Sequence, residues 1–340
     1  MTPKECFIVG SGMYVPDTVI DNATIAPVLG ILPEQIYRSS GIHRRRWAGS
    51  GTPTSALACT ALERAMGDAG IKTGDIDYLL FGTMTPDRYI PGSACSVQKA
   101  LGMSEIPCLD IRAACCNALY GIQLARALIT SGTASVVALC FAEIQSAWLD
   151  LSPKSATISM LFGDGASALI VSADQNAGAL EILDILLATN GSYVDDLGIR
   201  SPGTAFPIDP GAADTAECDN SLPRMVGQSV ILQASRRMTA ACERVLERNG
   251  MTIGDIHWIA PHQANANLLL QLARNLRFRE GSGIISVLDE YGNTGSASMG
   301  MALDVLRHSA GIRPNDYVLL PAFAAGFTWG AGLCRASTST

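Results

Sequence analysis

The stretch Cys108-Leu109-Asp110-Ile111-Arg112-Ala113-Ala114-Cys115-Cys116-Asn117-Ala118-Leu119-Tyr120-Gly121-Ile122 decides how the rest of the chain is read. A short apolar run ends in two alanines, a cysteine follows, and a helix-forming run begins at once. That order predicts a strand-to-helix elbow with the Cys115 thiol at the helix start. Unbonded N–H groups and the positive end of the helix dipole favour a thiolate there. A thiolate is the nucleophile that covalent acyl transfer requires.

Working outward, the chain has 340 residues, 48% of them hydrophobic, enough for one large α/β unit or two fused halves. Charged residues make up only 16% and there are 33 glycines, a composition unlike a coiled coil or a disordered chain. The net charge of −7 argues against a general nucleic-acid binder. No apolar run is long enough for a membrane span, and residues 1–10 lack the basic-then-apolar pattern of a secretory signal, so a cytoplasmic protein is expected. The 10 cysteines form no C-x-x-C pair, which removes the usual metal-ligand spacing. Most of them read as small buried hydrophobes, so only context singles out Cys115.

In chain order, residues 5–11 read as a first strand. Residues 54–69 read as a helix capped by Gly70, 76–81 as a buried strand and 93–101 as a helix. The basic stretch 41–47 reads as a solvated turn, with a phosphate clamp as the alternative. After the elbow its helix runs to about 131, a strand covers 134–141, and Gly163-Asp164-Gly165 turns into another strand. From residue 178 the pattern partly repeats. A strand at 179–187 precedes a Gly- and Pro-rich loop at 189–223 and a helix at 227–249. The strand 256–260 ends in Pro261-His262-Gln263-Ala264-Asn265, and 284–287 precedes Tyr291-Gly292-Asn293-Thr294-Gly295-Ser296 and a further helix. The last two strands flank Phe323-Ala324-Ala325-Gly326-Phe327. Two halves of alternating strands and helices, 1–175 and 176–340, predict an α/β fold with sheets sandwiched between helices.

Cys115, His262 and Asn293 all fall where strands end, which is where ligand sites in such sheets collect. A lone His or an Asn in a Gly-rich turn is usually structural. With Cys115 they make a chemical set. The cysteine carries an acyl group as a thioester. A neutral His262 Nε2 and the Asn293 amide stabilise the enolate of a second substrate. The backbone N–H groups of Cys115, Ala325 and Gly326 form the oxyanion hole of the acyl transfer.

These residues resemble the β-ketoacyl-acyl-carrier-protein synthase III family of the thiolase superfamily, over nearly the whole chain. The resemblance rests on 110–122 around the cysteine, Phe162-Gly163-Asp164-Gly165-Ala166, Pro261-His262-Gln263-Ala264-Asn265, Gly292-Asn293-Thr294 and Gly326-Phe327-Thr328-Trp329-Gly330. It implies a five-layered αβαβα sandwich of two pseudo-duplicated thiolase-like halves and a homodimer. It implies substrates delivered as thioesters of acyl-carrier protein or coenzyme A, with no metal or other cofactor. The family's cysteine stands five residues after the aspartate, here Asp110, which makes Cys115 the acyl-accepting nucleophile and sends Cys116 into the helix packing. His262 and Asn293 become the decarboxylation and enolate-stabilising pair. The implied reaction is a decarboxylative Claisen condensation of the Cys115-bound acyl group with a malonyl-type thioester. The alternatives are acyl transfer to an oxygen or nitrogen nucleophile with His262 as base, and a silent subunit partnering an active homologue. A degradative thiolase is disfavoured because Cys334 lacks the Gly-rich context of that group's second cysteine.

Departures from the family pattern bear on the donor. The family's adenine-stacking Trp and phosphate-binding Arg fall at Gln35 and Ser39, and a further coenzyme-contacting Arg falls at Ala156. Asn117 replaces a glycine, and Ala324-Ala325 replace two glycines of the oxyanion turn, which requires negative φ there. These changes weaken coenzyme A binding and point to carrier-protein delivery or an unusual acyl group in a specialised pathway. Arg274, Arg277 and Arg279 are a candidate docking patch for an acidic carrier, or else complement a helix C-terminus. Ile90 in the loop 87–91, which in the family reaches the partner's tunnel, and the loop 190–221 are candidate acyl-pocket walls.

Overall fold

The computed structural model describes residues 5–207, 218–279 and 283–338, so part of the loop 190–221 lies outside the described residues. Its frame is one nine-stranded ladder made of two sets. The strands β1 (Phe7–Tyr14), β2 (Tyr78–Gly82), β3 (Cys108–Ile111), β4 (Val136–Glu143) and β5 (Gly165–Ser172) run in the order β1-β5-β4-β2-β3. The strands β6 (Leu180–Thr189), β7 (Trp258–Ile259), β8 (Tyr317–Ala324) and β9 (Thr328–Ala336) run in the order β6-β9-β8-β7.

The two sets repeat one topology. In each, the first and last strands pair antiparallel, the last pairs antiparallel with the strand before it, and the remaining pairs are parallel. A parallel bridge between Ile259 and Ile284 stands where β3 stands in the first set. The sets join where Phe7 pairs with Glu181 and Ile8 with Leu180, with Ile182 N–H donating to the Cys6 carbonyl at 2.8 Å beside them. The strand β5, reading GASALIVS, is buried at every position. Such an unbroken run of small and apolar residues suits a strand covered on both faces.

Five helices cover these faces: α1 (Thr54–Ala69), α2 (Asn117–Thr130), α3 (Gly227–Arg248), α4 (Ala266–Leu276) and α5 (Ser298–Ser309). Leu119 and Ile122 of α2 and Leu303 of α5 share one core with Leu80 and Leu139 of the first set and Leu320 of the second. These two helices therefore lie between the sets. Leu57 and Leu62 of α1 pack with Phe81 and Ile170 on the first set's other face. Met238 of α3 and Leu272 of α4 pack with Leu319 and Leu333 on the second's. Helix, sheet, helices, sheet, helix is the five-layered sandwich expected from the sequence.

Close contact fixes the α1 layer. A Cβ on Gly12 of β1 would fall 2.5 Å from the Ala61 carbonyl oxygen and 2.6 Å from the Ala65 nitrogen, so glycine lets α1 lie directly on the strand. At its C-terminal end α1 is tied to α5 by Asp68, which pairs with Arg307 and, at 3.0 Å, with His308 Nε2. Ser11 donates to Asp304 at 2.8 Å and ties β1 into the same cluster.

The basic stretch 41–47 is solvated at His43 and Arg44, as expected, but it forms a short strand, Arg44–Arg46, whose middle residue turns inward. Arg45 is fully buried and donates to Asn22 Oδ1 at 2.9 Å and to the Met160 carbonyl at 2.8 Å. Arg44 pairs with Glu290 at 3.3 Å. The Trp47 indole donates to the Phe162 carbonyl at 3.2 Å, so the stretch braces a segment that reaches the site.

Candidate active site

The elbow forms as its sequence predicts. After β3 a single 3-10 turn, Ala114–Cys116, leads into α2. Ala114 has φ +50°, a left-handed conformation that costs a residue with a Cβ roughly 1–2 kcal/mol. Cys115 sits half-buried on the wall of a cavity of about 400 Å³. Burial, with the charge of Glu143 added to it, pushes its thiol up to about 12. Desolvation outweighs the helix start, and the resting nucleophile is a thiol rather than the expected thiolate. Cys116 is fully buried and its thiol lies 3.5 Å from the Thr328 carbonyl, inside the packing as expected.

His262 and Asn293 are held by one turn. The Asn293 Oδ1 accepts from the Gly295 N–H at 2.9 Å, which leaves its Nδ2 as the free donor. The Ser298 hydroxyl lies 2.7 Å from His262 Nδ1 and 3.0 Å from the Gly295 carbonyl. This turn, Gly295–Ala297, packs against the Cys115 turn and so brings the two motifs together, while His262 and Asn293 stand behind the wall of the Cys115 cavity rather than on it. Burial lowers His262 to about 4, and the imidazole is neutral at neutral pH. The backbone is fixed as well: Asn293 N–H donates to Leu161 O at 2.8 Å, Gly163 N–H to Asn293 O at 3.1 Å, and His262 N–H to Pro321 O at 3.0 Å. Gln263 and Asn265 of the same motif are spent on structure. Gln263 Nε2 donates to the Pro261 and Ile285 carbonyls, and Asn265 caps α4.

The oxyanion turn satisfies the condition set by its alanines. Neither Ala324 nor Ala325 has positive φ, whereas Gly326 stands at +135°. Ala325 lines the same cavity as Cys115.

Sequence reasoning missed Glu143. This fully buried carboxyl accepts from Ser296 Oγ at 2.6 Å, Thr85 Oγ1 at 2.8 Å and Met84 N–H at 3.0 Å, directly behind the site. Burial raises its pKa against those donors. A charge ending the apolar run VVALCFAE was the available signal.

The cavity is walled by Trp148, Leu149, Ile158, Phe162, Leu197 and Ile199 among others, with Arg88, Arg112 and Arg224 also on it. Ile90 is 78% exposed and stands off this wall, while its neighbour Tyr89 is on it. Arg274 and Arg277 are exposed at the end of α4, away from the cavity. Arg277, at φ +54°, ends the helix, its N–H bonding the Ala273 and Arg274 carbonyls.

A family model described as 3-oxoacyl-[acyl-carrier-protein (ACP)] synthase III matches residues 109–191, and the corresponding C-terminal model matches 246–336. The β-ketoacyl-[acyl-carrier-protein] synthase III of Nitratidesulfovibrio vulgaris (strain DP4) is 38% identical over 328 residues, 96% of this chain and 97% of that protein. The synthase III of Chlamydia pneumoniae is 34% identical over 96% of each chain. The crystal structure of 3-oxoacyl-[acyl-carrier-protein] synthase III from Aquifex aeolicus VF5 superposes with a TM-score of 0.87 at 29% identity, covering 97% of this chain and 99% of that one. The priming β-ketosynthase of the R1128 polyketide biosynthetic pathway superposes at 0.88 with 26% identity, covering 100% and 98%. Fold and site together define a thiolase-type condensing acyltransferase. The chain belongs to the β-ketoacyl-acyl-carrier-protein synthase III family.

Proposed function

We propose that this protein condenses a Cys115-bound acyl group with a malonyl-type thioester. The observation that carries the reading is the shared turn, which binds both His262 and Asn293 and packs on the elbow. In the first half-reaction the Cys115 sulfur bonds to the donor carbonyl and the carrier thiolate leaves with the thiol proton. The tetrahedral oxyanion is met by the N–H groups of Cys115, Ala325 and Gly326. In the second, the malonyl thioester loses carbon dioxide and its enolate oxygen takes hydrogen bonds from His262 Nε2 and Asn293 Nδ2. The enolate carbon attacks the Cys115 thioester and releases the sulfur, which regains a proton. This step needs the proton on Nε2, which requires the Ser298 hydroxyl to turn from the Gly295 carbonyl and donate to Nδ1. Asn293 favours carbon–carbon bond formation over transfer to oxygen or nitrogen, because its free Nδ2 serves an enolate.

We assign residues 1–175 to the half that carries Cys115 and 176–340 to the half that carries His262 and Asn293, in a homodimeric, cytoplasmic enzyme without metal or organic cofactor. The donor is an acyl group larger than acetyl, delivered by an acyl-carrier protein. An apolar cavity of about 400 Å³ beside the sulfur supports the first part. Gln35, Ser39 and Ala156 support the second. Gln35 spends its Oε1 on Leu32 N–H, Ser39 donates to the Gln35 carbonyl, and Ala156 packs against Ile25, Leu29 and Ile36, so these three positions themselves offer coenzyme A neither ring nor charge. Acylation of Cys115 by hexanoyl and acetyl groups, each on carrier protein and on coenzyme A, tests this. Hexanoyl-carrier protein is expected to react fastest, and a preference for acetyl-coenzyme A contradicts the donor assignment.

A further inference from the structure

Asn117, the first residue of α2, is fully buried and reaches back over the elbow. Its Oδ1 accepts a 2.6 Å hydrogen bond from the Ala113 N–H. The Ala113 carbonyl accepts from Cys116 N–H at 3.1 Å, so this peptide is held at both ends from the helix side. Between the two anchors lie Ala114, at φ +50°, and Cys115. The clamp therefore spans the one elbow residue held in the left-handed region and the cysteine that follows it. Room for the clamp comes from β2, where a Cβ on Gly82 would fall 2.6 Å from Asn117 Cβ and 2.9 Å from its Cγ. The Asn117 Nδ2 is buried without a hydrogen-bond partner, a cost that a glycine here would not carry.

We propose that Asn117 is a positioning residue for the acylation half-reaction, holding the elbow so that the Cys115 sulfur and N–H address one donor carbonyl together. This rests on the reading of Cys115 as the acyl acceptor. A residue that only stabilised the fold would affect every step alike. A clamp on the elbow slows the step that uses Cys115 and spares malonyl decarboxylation, which needs only His262 and Asn293.

The test compares the full-length wild type with Asn117→Ala, Asn117→Gly and Asn117→Asp. Two rates are followed: acylation of Cys115 by the hexanoyl thioester of N-acetylcysteamine, and carbon dioxide release from malonyl-acyl-carrier protein. Loss of the acceptor oxygen is expected to slow acylation about 10- to 100-fold. Carbon dioxide release stays within about twofold of wild type, and Asn117→Asp, which keeps the acceptor, acylates within about threefold. Should the alanine variant fail to fold, the glycine variant, with no side chain to bury, decides. Acylation at the wild-type rate without the clamp, or an equal fall in both rates, overturns the proposal. A wild type that is neither acylated nor decarboxylating would instead overturn the underlying reading of function.

Discussion

In the proposed cycle Cys115 starts as a protonated thiol, and Glu143 is part of the reason. Burial contributes most to the raised thiol pKa and the Glu143 charge adds to it. Glu143→Gln removes the charge and keeps a polar group of the same shape. The pH midpoint for alkylation of Cys115 by iodoacetamide is expected to fall, and an unchanged or higher midpoint contradicts that role. Ser298 stands where it can set the other proton once its hydroxyl turns from the Gly295 carbonyl to His262 Nδ1. In Ser298→Ala, His262 is free to carry its proton on Nδ1, and malonyl decarboxylation is expected to drop about 10- to 100-fold while Cys115 still accepts an acyl group. Equal loss of both steps would argue for a structural role. Cys115, His262 and Asn293 were legible because each sits in a motif read from neighbours in sequence, although Asn293 follows the helical turn Leu288–Tyr291 and not the expected strand at 284–287, of which only the bridge at Ile284 forms. Glu143 and Ser298 were not. Their partners lie 153 and 36 residues away, and only folding puts them together. The thiolate expectation failed for a related reason: the helix start is local and visible in sequence, whereas desolvation belongs to the packed site.

Among the elements, the tie between α1 and α5 has the clearest dependence on pH. Burial opposes the charge on His308, but its bonds to Asp68 and Asp304 outweigh this and raise its pKa above 6.5. Stability from that shift is fully present below 6.5 and is lost as pH rises through the raised value. Burial also opposes the Asp68 carboxylate, but His308, the Ser11 N–H and Arg307 outweigh it and lower its pKa from 3.8. Its contribution is present above 3.8 and is lost as pH falls through the lowered value. His308→Gln is therefore expected to flatten the decline in melting temperature above pH 6.5, and a wild-type slope in the variant contradicts the assignment. Element types were legible from apolar runs and capping glycines, Gly70 at φ +69° among them. The buried Arg45 was not, because its acceptors come from the separate segments around Asn22 and Met160.

For the whole molecule, the duplication was legible as two rounds of alternating strands and helices. What the sequence left out is that α2 and α5 share one core, so that the turn before each helix faces the other. That arrangement brings a cysteine from one round to a histidine and an asparagine from the other. The exposed Arg274 and Arg277 make no ion pair among the described residues, which suits an acidic carrier. Arg274→Glu is expected to raise the KM for carrier-borne donors and to leave the N-acetylcysteamine donor unaffected. Unchanged carrier kinetics would remove the docking patch. In the proposed reaction one cysteine receives the acyl group and gives it up to a decarboxylated extender. Its most direct measurement is the mass of the Cys115 peptide after acylation, followed by addition of a malonyl thioester with carbon dioxide counted. The expected result is an acyl adduct on Cys115 that is stable alone and is discharged with one carbon dioxide per adduct. An adduct on another residue, or discharge without carbon dioxide, would contradict it.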